Sequence, residues 1–165
     1  MQVPIRKPGK YTHDKPDPHL TEKKFIDLKK KLENLKKSVI PAADEVRRTA
    51  AMGDLSENAA YQVAKGRLRG INERILELDA HLKHAVIIQT IKNTETLQLG
   101  HTVTIEMESK KHTYLMLGST ESDPLKGIIS HNSPIGSALI GHKVGDKIRI
   151  HLKNKLIECT ILSIQ

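Results

Sequence analysis

The sequence predicts an α+β protein: a long antiparallel coiled-coil α-hairpin followed by a small β-rich domain. Three observations carry that prediction. Between residues 20 and 88 Pro41 is the only proline, and the apolar residues recur at alternating steps of three and four. The two halves of that stretch are mirror images of one another. After residue 88 the apolar period falls to two, the signature of half-buried strands.

Residues 1–19 come first. They hold Pro4, Pro8, Pro16 and Pro18 among Arg6, Lys7, Lys10 and Lys15, with no apolar period. Such a segment buries too little apolar surface to order itself, so a mobile basic arm is expected.

The hairpin is expected over residues 20–88. Its first helix presents Phe25, Leu28, Leu32, Leu35, Val39, Ala42, Val46 and Thr49, and its second Tyr61, Ala64, Leu68, Ile71, Ile75, Leu78, Leu82 and Ala85. Each series traces the a/d seam of a coiled coil. Taken from the ends inward, partners from Phe25 with Ala85 to Thr49 with Tyr61 have position numbers that add to 110. A chain doubled back near residue 55 sets these residues at matching heights. About 30 residues per arm at 1.5 Å each gives a rod of roughly 45 Å. Pro41 removes one backbone donor and is expected to bend or loosen the first helix. Gly66 and Gly70 weaken the second by roughly 1 kcal/mol each relative to Ala.

A linker at 89–93 leads to a β-rich unit over 94–165. Val103, Ile105 and Met107 alternate, as do Tyr114 and Met116, then Ile148, Ile150 and Leu152, then Ile157, Cys159, Ile161 and Ser163. Val144-Gly145-Asp146-Lys147 reads as a turn. Ser133-Pro134 ahead of Ile135, Ala138, Leu139 and Ile140 reads as a short helix with Ser as its N-cap and Pro at its first position.

Composition narrows the function. The chain has 165 residues, no Trp, one Phe and three Tyr, which disfavours binding of single strands by base stacking. Its formal charge is +8, and the excess sits in the first 90 residues, with 18 Lys/Arg against 12 Asp/Glu. That half suits a phosphate backbone or an acidic protein surface, although a solvated basic helix face explains it as well. A single cysteine, Cys159, excludes an intrachain disulfide and reads as a small core residue of a cytoplasmic protein. No apolar run reaches the ~20 residues of a membrane span. His81 and His84 share a helix face, but no acid or cysteine joins them, so a metal site there is not expected.

The predicted turn reads Met52-Gly53-Asp54-Leu55-Ser56-Glu57-Asn58. Two accounts of Asp54 and Glu57 stand side by side. In one, Asp-x-x-Glu is a capping box: Asp54 caps the second helix and Glu57 reaches back to the cap's amide. In the other, two carboxylates at the end of a long probe contribute oxygens to a Mg²⁺ ion that a partner completes.

The segment Gly53-Asp54-Leu55-Ser56-Glu57-Asn58-Ala59-Ala60-Tyr61 resembles the tip motif of the Gre family of transcript-cleavage factors. Its continuation through Lys65, Arg67, Leu68, Arg69, Ile71 and Arg74 is similar to the GreB branch. The stretch from Ile129 through Asn132-Ser133-Pro134 to Gly141, and the later Val144-Gly145-Asp146, also look like the family, and the likeness covers residues 20–165. The resemblance implies a monomeric factor whose hairpin enters the secondary channel of bacterial RNA polymerase. Asp54 and Glu57 would help hold the second active-site Mg²⁺ of the polymerase, which then cuts backtracked RNA from its 3′ end. Lys65, Arg67, Arg69 and Arg74 would hold the extruded RNA. An FKBP-like C-terminal domain would dock on the channel rim through Asn132, Ser133 and Pro134. The factor would be no enzyme itself. Ala60 stands where members of the family commonly carry a third acid, which makes this tip less negative. Two rival functions keep the same fold: a channel-occupying regulator without cleavage, and a basic coiled-coil RNA-binding or chaperone module.

Overall fold

The computed structural model describes residues 16–52, 58–89, 95–152 and 155–165. The first helix, α1, runs from Glu22 to Ala50, and the second, α2, from Ala59 to Lys83. They pack against each other as an antiparallel hairpin. Every residue of the two predicted series is buried or half-buried, with Leu32, Ala42, Thr49 and Ala64 the most enclosed. Outside the seam, Ile40, Val63 and Leu76 point to solvent. The seam is therefore one residue deep, and the rod has no other core. Pro41 does not interrupt α1: it is exposed, and the helix continues on both sides of it.

The root of the hairpin is more elaborate than the sequence suggests. The short strand β1 (His19–Leu20) lies parallel to β2 (Val86–Ile87), which follows α2 directly. The Val86 amide donates to the Pro18 carbonyl at 2.7 Å, and the Ile88 amide to the Leu20 carbonyl at 2.8 Å. Leu20 is fully buried. The expected arm of residues 1–19 is thus tied down at its end, and only its first 15 residues fall outside the described ones. Within the linker prediction, residues 90–93 also lie outside them.

The C-terminal unit is a five-stranded sheet with strand order β5-β4-β3-β7-β6. Its strands are β3 (Thr102–Met107), β4 (Lys110–Leu117), β5 (Ile128–Ser130), β6 (Lys147–Leu152) and β7 (Lys155–Ile164). β4 and β5 are parallel, and the remaining neighbours are antiparallel. A six-residue helix, α3 (Pro134–Leu139), packs beside β6 and β5. Val103, Ile105, Met116, Leu139, Ile148, Ile150, Cys159 and Ile161 enclose one apolar core. Burial pushes the Cys159 thiol up, partly offset by a hydrogen bond at the Ile148 backbone, so it is a poor nucleophile.

The alternation predicted to reach Ser163 breaks before it. The register of β3 against β7 shifts between Thr104 and Ile105, so that Ile105 faces Ile161 but Val103 faces Ile164. One extra residue in β7 moves Ile164, not Ser163, onto the core. Among the described residues no helix is long and apolar enough to cross a membrane.

The root meets the sheet unit through polar contacts. Thr21 caps α1 by accepting from the Lys24 amide at 3.2 Å. Its own amide and hydroxyl donate to the two carboxylate oxygens of Glu121 at 2.7 and 2.6 Å. The Asp17 carboxylate accepts from the Ser119 amide at 2.6 Å. Between these contacts the backbone of Gly118 lies against the His19 carbonyl, where a Cβ would collide with it. Gly118→Ala should therefore cost about 1–3 kcal/mol, by analogy with overpacked cores, and equilibrium urea unfolding of the full chain checks this.

Candidate functional site

The far end of the rod is closed by one side chain. Asn58 is the N-cap of α2: its Oδ1 accepts from the Tyr61 amide at 3.0 Å. Its Nδ2 donates to the Thr49 carbonyl, in the last turn of α1, at 2.7 Å. Thr49 is itself anchored, its hydroxyl donating to the Glu45 carbonyl at 2.8 Å. Asn58 thus satisfies a backbone group on each helix and pins their ends together.

Asp54 and Glu57 fall at residues 53–57 and lie outside the described residues. The role of cap that the capping-box account gave to Asp54 is nevertheless taken, by Asn58. Residue-type preference does not separate the two, since Asn is as good a cap as Asp. Ala60 is exposed beside the cap.

Lys65, Arg67, Arg69 and Arg74 are all exposed on α2, but they do not form one patch. At about 100° per residue, Lys65 and Arg69 lie on one side of the seam and Arg67 and Arg74 on the other. The Arg67 guanidinium reaches across to Glu45 of α1 at 3.3 Å, whereas Arg69 pairs with Glu73 at 2.8 Å on its own helix. The Lys65 ammonium sits 5.7 Å from the centre of the Tyr61 ring. Exposed pairs of this kind contribute only ~0.2–1 kcal/mol, so a phosphate could displace the acids readily.

In the loop before α3, Ser133 is occupied locally. Its hydroxyl accepts from the Gly136 amide at 3.0 Å and donates to the Ser130 carbonyl at 2.7 Å. The Asn132 amide donates to the Ser130 hydroxyl at 3.0 Å, and its side chain donates to Ser119 at 3.2 Å. Asn132 and Pro134 are exposed, so of the three predicted docking residues these two face outward.

Comparison with known proteins agrees with this architecture. Residues 19–87 match the family model described as the N-terminal part of transcription elongation factors, and residues 92–165 match the GreA/GreB C-terminal model. The chain belongs to the GreA/GreB family of transcription elongation factors. It is 36% identical over 138 residues to the transcription elongation factor GreA of Macrococcus caseolyticus, covering 82% of this chain and 87% of that one. With GreA of Thermoanaerobacter pseudethanolicus it shares 38% over 151 residues, 88% and 96% of the two chains. Among solved structures it resembles the GreA factor homolog Gfh1 of Thermus thermophilus at 25% identity. The TM-score there is 0.40, with 89% of this chain and 97% of that one covered; a superposition that loose carries no argument. The named relatives are GreA factors, and the likeness of residues 61–74 to the GreB branch finds no support among them.

Membership makes the chain an elongation factor that stimulates cleavage by RNA polymerase, not a nuclease in its own right. The bridge made by Asn58 fixes the facing ends of α1 and α2 to each other. Asn58→Ala should cost about 1–2 kcal/mol, measurable by thermal unfolding. Asn58→Asp retains the cap but loses the donor to Thr49, and should recover only part of that loss.

Proposed function

We propose that the hairpin enters the secondary channel of RNA polymerase and brings Asp54 and Glu57 to the second active-site Mg²⁺. The observation that carries this reading is the cap at Asn58, which relieves Asp54 of any duty to α2. Carboxylate oxygens suit Mg²⁺, which commonly takes one or two from a protein and leaves its other positions to water and phosphate. An ion held there would activate water and stabilise in-line attack on the phosphodiester. Two carboxylates are an incomplete set for such a site, so the polymerase must provide the rest. Asp54 and Glu57 would position the ion, and the rod would supply the reach.

Lys65, Arg67, Arg69 and Arg74 would hold the extruded 3′ end of the nascent RNA. Their division between two flanks means that one RNA strand can follow one row only. Long backtracked RNAs, which extrude more strand for these residues to hold, are the first substrate to test. Asn132 and Pro134, with Ser133 shaping the loop, would meet the channel rim.

A halted, backtracked polymerase provides the test. Adding the factor should shorten the RNA from its 3′ end. Asp54→Asn and Glu57→Gln should each slow cleavage at least ~100-fold, the equivalent of losing roughly 3 kcal/mol of transition-state stabilisation. Polymerase binding should persist; cleavage at the wild-type rate in both variants would sink the reading.

Two double variants separate the flanks. Lys65→Ala with Arg69→Ala, and Arg67→Ala with Arg74→Ala, are compared on long and short backtracked RNAs. One pair should impair the long RNA more and lower the salt slope of binding by ~0.7 for every phosphate no longer neutralised, the other doing neither. Equal effects of the two pairs, or no dependence on RNA length, would remove the RNA-holding role.

A further inference from the structure

The root of the hairpin brings together three groups to which the reading above gives no task. Asp17 lies just before β1, His19 is in β1, and His131 is in the loop between β5 and α3. One oxygen of Asp17 is 2.9 Å from Nδ1 of His19, and the other is 3.5 Å from Nδ1 of His131. All three ligand atoms lie within 4.8 Å of one another.

We propose that Asp17, His19 and His131 form a binding site for a divalent transition-metal ion, with Zn²⁺ the best match. Two imidazole nitrogens and one carboxylate oxygen are donors of the type Zn²⁺ favours, with water in the fourth position. Adjacent ligands on a tetrahedral zinc ion stand about 3.3 Å apart, given bonds of roughly 2.0–2.1 Å. The Asp17–His19 and Asp17–His131 separations of 2.9 and 3.5 Å bracket that value, and the third pair lies within 4.8 Å.

Two further features favour a metal over a simple polar cluster. The Asp17 side chain is 3% exposed, yet backbone amides of Ser119 and His19 hold its two oxygens in place, at 2.6 and 3.1 Å. The backbone donors would serve as the outer shell that orients a metal ligand. His131 shows the opposite condition. Its side chain is 18% exposed, its Nδ1 has no hydrogen-bond partner among the described residues, and 3.5 Å to Asp17 is too long to supply one. A buried ring nitrogen left in that state is costly, and coordination would satisfy it.

The site joins two parts of the molecule. Asp17 and His19 belong to the root of the rod, whereas His131 immediately precedes the Asn132-Ser133-Pro134 loop. A bound ion would fasten the base of the hairpin to the sheet unit, and it is separate from the Mg²⁺ proposed at the far end.

The test uses the full chain stripped with a chelator, titrated with Zn²⁺ by calorimetry at neutral pH and with Co²⁺ by visible absorption. One equivalent of Zn²⁺ should bind, Co²⁺ should give the intense band of a tetrahedral site, and the melting temperature should rise with Zn²⁺. His19→Gln and His131→Gln should each weaken Zn²⁺ at least ~10-fold and abolish the melting shift, whereas His84→Gln, an exposed histidine elsewhere, should change neither. Circular dichroism of the metal-free variants confirms that they are folded. If one is not, the other and the Co²⁺ spectrum of the wild type decide. Absence of saturable Zn²⁺ binding, or wild-type affinity in the folded variants, would overturn the site.

Discussion

The contact on which the rest of this molecule depends is the short one between the root of the hairpin and the sheet unit. A rod roughly 45 Å long is a lever, and a tilt of about 5° at its base moves its far end by about 4 Å. Misplacement by ~1 Å at a reacting centre can cost on the order of 100-fold in rate. A factor that works through its tip must therefore hold its root firmly. Glu121 does so by taking both the amide and the hydroxyl of Thr21, the residue that also caps α1. The carboxylate sits at the positive end of the helix dipole, which favours it further. The carboxylate of Asp17 and the missing side chain of Gly118 bring the two backbones into contact a few residues away.

The same economy is visible at the other end. The seam narrows to Ala42, Thr49 and Ala64, small residues that let the helices close on each other. Asn58 then finishes the rod by bonding to both of them. The two helices are thereby joined without calling on the proposed acidic pair, Asp54 and Glu57.

Along the flanks, charge is distributed for exchange more than for stability. Glu45 and Glu73 partly neutralise Arg67 and Arg69 through exposed pairs that water and salt weaken. Phosphate can replace these acids at little cost, which fits the RNA-holding role proposed for this surface. The two rows remain distinct because the seam between them is occupied by the partner helix.

The sequence alone determined the hairpin and its approximate length. A heptad-like apolar series leaves only one face to bury, and two such series in mirror order can bury it only against each other. It also determined the strands around Val103, Ile105 and Met116, the Ser133 cap of α3, and through motif resemblance the family. Tertiary structure decided what depended on a distant neighbour. The tie of Asp17 and His19 to residues 118–131 could not be read from a proline-rich stretch, because its partners lie about a hundred positions away. The shift that puts Ile164 in place of Ser163 on the core needs the register of β3 to reveal it. Four basic residues close in sequence suggest one patch, yet helical geometry and the neighbouring helix divide them. The choice of Asn58 over Asp54 as cap turned on the Thr49 carbonyl, a hydrogen-bond acceptor that only the folded hairpin puts within reach.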